Sequence, residues 1–156
     1  MSVLPITASA DGASFEIPKV EFLYEAWVDC APLRSLGQGP LGERRMVPIL
    51  GGHFAGPRLK GVVLAGGADR QLIRPDGVHL LNAVYEMQTD DDAVLSVSNR
   101  VTIDRRDASA PYARSSVEIT APQGPYGWLN DRVFVGTLTP QPPERHAVVI
   151  RVFTVV

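Results

Sequence analysis

The sequence predicts an all-β fold, a closed or nearly closed single antiparallel β-barrel of about nine or ten strands, with a sandwich as the alternative packing. Three observations predict it. Apolar and polar residues alternate with period two along several stretches, as the side chains of a half-buried strand do. Glycine (14) and proline (13) are scattered through the 156 residues and cut the chain into short pieces. No window keeps helical spacing over three turns, while turn chemistry returns every 8–14 residues.

The elements follow in order. Residues 1–19 read as a loose N-terminal segment: Met1–Ala10 lacks a positive leader, and Pro5 interrupts its apolar run, so it makes a poor signal peptide. Residues 20–156 form the barrel domain, and a chain of this length fits one domain that buries roughly 68–70% of its unfolded surface. From Val20 to Asp29, Val20, Phe22, Tyr24, Ala26 and Val28 share one face. Gly56-Pro57 interrupts an extended stretch and marks a bulge or corner, because proline cannot donate to a ladder. Arg74-Pro75-Asp76-Gly77 suits a type I turn. From His79 to Thr89, Leu81, Ala83, Tyr85 and Met87 oppose Leu80, Asn82, Val84, Glu86 and Gln88. Thr89–Asp92 reads as a hairpin loop, and the polar segment Asp104–Arg114 as a loop or short helical turn lying over one mouth. The last strand, His146–Val156, is apolar on both faces. Its outer face needs cover, which a subunit contact in a homo-oligomer would supply.

Composition narrows the function. Net charge is −2 with basic residues dispersed, unlike the basic stripe that phosphate neutralisation on nucleic acid requires. No stretch reaches the ~18–20 apolar residues of a membrane helix, so neither nucleic acid nor membrane is an expected partner. The lone cysteine, Cys30, excludes an intrachain disulfide, reads as a small buried hydrophobe and fits a reducing cytoplasm. Nucleophile-elbow, zincin, paired-cysteine and phosphate-loop signatures are absent. His53, His79 and His146 lack metal-ligand spacing, and Asp90-Asp91-Asp92 lacks the glycine and glutamate of a calcium loop, so no metal and no cofactor is expected.

Four motifs stand in order: Gly51-Gly52 with Gly56-Pro57-Arg58-Leu59-Lys60-Gly61, then Gly66-Gly67-Ala68-Asp69, then Arg74-Pro75-Asp76-Gly77, then Tyr126-Gly127-Trp128-Leu129-Asn130. Together they resemble a widespread family of small bacterial β-barrel proteins catalogued as a domain of unknown function, over roughly residues 20–156. The resemblance implies a lipocalin-like barrel and oligomers, and brings no settled activity. The chain departs from the family pattern at Arg70, where tryptophan is usual, at Val84, where arginine is usual, at Ile119-Thr120-Ala121 in place of a Phe-Glu-Thr triplet, and at His53, more often threonine.

Candidate site residues follow from side-chain chemistry. His53 falls in phase with Arg45, Val47 and Ile49 if its strand runs straight, and an imidazole suits proton transfer at neutral pH. Asp69 lies 16 residues on, across a short apolar strand, so a meander can return it to the same barrel mouth. The pair is the expected acid–base couple, although Asp69 also suits a turn and His53 a structural role. Trp128 and Asn130, taken to share one strand face, would position a planar substrate. Arg45 would bind an anionic group, and Glu86 would add a second carboxylate if its face lines the cavity. These residues point to a cofactor-independent acid–base enzyme of lyase, isomerase or hydratase type, acting on a small organic molecule inside the barrel. A carrier or sensor using the same cavity, and a structural oligomeric barrel with a filled interior, are the alternatives.

Overall fold

Strand β1 (Val20–Cys30) and the short β2 (Arg34–Gly39) lie end to end along one side of the 14-residue β3 (Gly42–Ala55), and the short β4 (Lys60–Val63) and β5 (Ala68–Ile73) lie end to end along the other. This arrangement comes from a computed structural model, which describes residues 9–142 and 145–156. The long strands β6 (His79–Thr89), β7 (Val94–Asp104), β8 (Tyr112–Thr120), β9 (Val133–Pro140) and β10 (Ala147–Val155) follow as an antiparallel meander. β10 pairs with β1, and β1 pairs with β3, so the sheet closes on itself as an antiparallel barrel. Closure removes the free edges that an open sheet would expose, except along the short β2, which pairs with β3 alone. Part of the expected N-terminal segment, residues 1–8, lies outside the described residues; nearer the barrel, Lys19 and Val156 exchange two backbone hydrogen bonds of 2.8 Å.

The turns follow their sequence chemistry. At Arg74–Gly77 the Gly77 N–H donates to the Arg74 carbonyl at 2.9 Å. At the β6–β7 tip the Asp92 N–H donates to Thr89 at 3.0 Å, with Asp92 held at φ 71°, a conformation that aspartate tolerates better than most residues. Gly56-Pro57 forms the β3–β4 corner.

Two local irregularities overturn the straight-strand reading. A register shift between Phe22 and Tyr24 inserts Leu23, so Tyr24 is buried while Val20 and Phe22 face solvent. The second lies at Gly51-Gly52, with φ of 148° and 140°, opposite a register shift in β1 between Asp29 and Cys30. There β3 leaves β5 and begins to pair with β1 and β4. A Cβ on Gly52 would sit 1.9 Å from the Trp27 carbonyl oxygen, so only glycine permits this approach. Past that corner the facing changes phase: Phe54 turns into the core and His53 turns out to solvent.

The core is unevenly distributed. One end of the lumen is packed with Tyr24, Phe54, Met87, Leu95 and Phe134, each at most 2% exposed. That end is closed by a short 3-10 helix (Gly127–Asp131), whose Leu129 is 1% exposed. The other end is open. Outside, Val20, Phe22, Val133 and Val135 remain exposed, while on β10 Val149 is already buried within the chain and Arg151 interrupts the apolar row. Among the described residues no helix is long and apolar enough to cross a membrane, a statement that does not bear on strands.

Candidate functional site

The open half of the barrel holds a cavity of about 450 Å³, within the usual size range of small-molecule pockets. Its walls are the inward rows of the alternation: Val28 from β1, Val47 and Ile49 from β3, Leu81 and Ala83 from β6, Val101 from β7 and Ile150 from β10. Into this apolar chamber β5 projects Asp69 and Gln71, two residues apart and therefore on one face. The loop after β7 brings Arg105 to the rim, but it is shorter than the expected Asp104–Arg114, because β7 runs to Asp104 and β8 starts at Tyr112. Arg74, Asp76, Arg106 and Asp104 form an ion-pair chain that ties this loop to the Arg74–Gly77 turn.

Asp69 is the central group. Gln71 Nε2 donates to its Oδ2 at 2.8 Å, while its Oδ1 is buried without a partner. Burial pushes its carboxyl above the usual range; the Gln71 bond and a backbone donor at Asn82 pull the other way. Nearby, Tyr85, 2% exposed, lines the cavity with its hydroxyl unpartnered, and the buried Tyr24 hydroxyl is unpartnered too. Asn99, 1% exposed, stands in register with Ala83, itself in register with Asp69, and its Oδ1 also lacks a partner. Burying a polar atom unpaired costs about 1–3 kcal/mol. Asp69 and Tyr85 place two such atoms on residues that line one chamber, where a hydrogen-bonding group from outside the chain would satisfy them.

Cys30 also faces the cavity. Burial, with Asp69 and Asp29 adding to it, pushes its thiol up to about 11, so it is the inert thiol its apolar setting predicts. At the rim, Arg45 Nη2 meets Glu43 Oε2 at 2.8 Å, and His79 is held below its ordinary value by burial and by Arg45 and Arg105, against Glu43. Among the described residues no three His, Cys, Asp or Glu side chains are grouped as a metal site.

The structure separates several residues that the sequence placed together. Asp69 and Arg45 are on the inner face; Arg45 sits opposite Gln71 in the β3–β5 register. His53 is outside, its ring stacked on Trp27 at 6.3 Å and 13°, so the His53–Asp69 couple does not exist in this fold. The glycine corner at Gly51-Gly52 is the reason. Glu86 is exposed on the outer face of β6, the face of Asn82 and Val84. Trp128 and Asn130 lie in the 3-10 helix rather than on a strand, at the packed end away from the cavity. Trp128 carries the Arg58 guanidinium 3.8 Å above its ring. Asn130 accepts from the Ala121 N–H (2.8 Å) and donates to the carbonyls of Ala121 (3.0 Å) and Gly127 (3.1 Å), a latch rather than a ligand contact.

Gln71, Tyr85 and Asn99 were not singled out from sequence. The signal was present for two of them. Gln71 follows Asp69 by one strand period, and Asn99 interrupts the inward row Val97, Val101 and Ile103 with an amide.

Comparison with known proteins places this barrel among relatives. The family model described as protein of unknown function (DUF3237) matches residues 18–155. A UPF0311 protein of Rhodopseudomonas palustris is 33% identical over 132 residues, spanning 76% of this chain and 86% of that protein. The crystal structure of a conserved protein of unknown function from Rhodopseudomonas palustris superposes with a TM-score of 0.82 at 30% identity, covering 91% of this chain and 100% of the other. The hydroalkoxylation enzyme phnH of Penicillium herquei is 27% identical over 137 residues, 88% of this chain and 85% of that enzyme.

Proposed function

The chain belongs to the DUF3237 family of proteins of unknown function, and from that membership and the chamber around Asp69 we propose that it is a cofactor-independent enzyme moving protons on a small organic molecule held in the barrel. The observation that carries this reading is a half-paired, buried carboxyl, Asp69, on the wall of the cavity with Tyr85, whose hydroxyl is also unpartnered. The relative named for hydroalkoxylation supplies a reaction type that such a site could perform. In that reaction an O–H adds across a carbon–carbon double bond. Protonated Asp69 delivers its proton to one alkene carbon, the substrate hydroxyl oxygen bonds to the other, and the hydroxyl proton returns to the carboxylate. One π bond and one O–H bond break, one C–H and one C–O bond form, and Asp69 ends as it began.

A carboxyl pushed upward by burial suits the acid step, because general acids work best with values near the working pH. The amide of Gln71 would fix which oxygen carries the proton. Cys30, free and inert, fits a reducing cytoplasm, and the exposed Val20, Phe22, Val133 and Val135 fit contact between copies of the chain.

The test is incubation with a set of 2-allyl- and 2-prenylphenols in D₂O without added cofactor. Cyclic ether carrying one new carbon-bound deuterium is the expected product. No conversion of any member, or conversion only with an added cofactor, contradicts the reading.

A further inference from the structure

The mouth of the cavity has a charge of its own. Arg105 lines it, and among the described residues its guanidinium has no carboxylate partner. His79, from the first position of β6, lines the same rim. Arg45 projects inward beside them from β3, opposite Gln71, and its Nε is buried without a partner although Nη2 meets Glu43. The only carboxylates at the described inner face of this end are Glu43, already paired with Arg45, and Asp69 deeper inside. Arg145 also borders the opening, but its guanidinium lies 4.4 Å over the Trp27 ring, on the outer wall. Below the rim the walls are apolar. The chamber is thus an apolar pocket with donors at its rim and a buried carboxyl within.

Resting on the proposed site, we infer that its substrate is an aromatic anion, its body in the apolar chamber against Asp69 and its carboxylate, sulfonate or phenolate oxygen anchored at the rim by Arg105 and His79. Arg105 is the main anchor, because guanidinium presents paired donors to such a group and Arg45 is partly engaged. His79, held below its ordinary value by burial first and then by Arg45 and Arg105, adds a ring N–H at the same rim. The rim charge would also draw anions to the opening, an effect that salt weakens.

Two fluorescent probes differing only in their charged group test this: 8-anilinonaphthalene-1-sulfonate and its neutral parent N-phenyl-1-naphthylamine. The sulfonate should bind more tightly than the neutral compound. Arg105→Gln should weaken the sulfonate about tenfold, in keeping with loss of a charge-assisted contact, and leave the neutral probe unchanged. Arg105→Lys should restore most of the loss, and Arg100→Gln on the outer face of the barrel should do nothing. Equal binding of both probes, or loss in Arg100→Gln instead of Arg105→Gln, overturns the anchor while leaving the Asp69 chamber standing. Failure of the neutral probe to bind at all overturns the chamber, and the anchor with it.

Discussion

Asp69 would be more comfortable in water, and that discomfort can be measured. Its carboxyl is raised in the folded chain by burial, so the folded state holds its proton more tightly than the unfolded state does. Stability from this group is therefore fully present below the unfolded value, near 3.9, and is lost as pH rises through the folded value. Asp69→Asn should raise the melting temperature at pH 7, by about 2–4 °C for each kcal/mol relieved, and should leave it nearly unchanged at pH 3; thermal scans at both pH values decide it. An equal effect at the two pH values would mean that charge is not the cause. Cys30 gives a second residue-scale check. With its thiol near 11, its thiolate at pH 8 is scarcer than that of an ordinary cysteine near 8.5 by roughly two orders of magnitude. Labelling by a chromogenic disulfide reagent should be about 10²-fold slower in the native protein than in urea.

At the scale of elements, the packed end and the open end divide the labour. The 3-10 helix and its Asn130 latch close one end, joined to the β6–β7 tip by the Tyr126 hydroxyl donating to Asp91 at 2.7 Å. Asn130→Ala should cost about 1–3 kcal/mol of stability and leave ligand binding in the cavity intact, which denaturation and probe titration separate. Gly52→Ala should be more costly, about 2–4 kcal/mol, since its Cβ meets the Trp27 carbonyl at 1.9 Å. The same glycine explains what the sequence could and could not show. Alternation read β6 correctly along its whole length, because nothing interrupts its pleat. It read β1 and β3 incorrectly where a bulge or glycine corner changes the phase, and one step of phase exchanges inside for outside. His53 was lost to the lumen for that reason. Trp128 and Asn130 were misplaced because a five-residue helix has too few turns to show a period.

For the whole molecule, the closed sheet supplies a wall on which the Asp69 carboxyl and Tyr85 are held toward one cavity. Its outer surface leaves an apolar belt of Val20, Phe22, Val133 and Val135, for which a second copy of the chain is the proposed cover. Light scattering at micromolar concentration should give a multiple of the 16.9 kDa chain mass, and Phe22→Glu should return the monomer; a wild-type monomer would contradict this. The central claim concerns the lumen: the chemistry belongs to Asp69 inside the barrel and not to His53 outside it. Its most direct test is the turnover of Asp69→Asn and His53→Ala, side by side on the same alkenyl phenol with deuterium incorporation as the readout. The account predicts a loss of about 10²–10⁴-fold for Asp69→Asn, with His53→Ala within twofold of the wild type. Full activity in Asp69→Asn, or a comparable loss in His53→Ala, would contradict it.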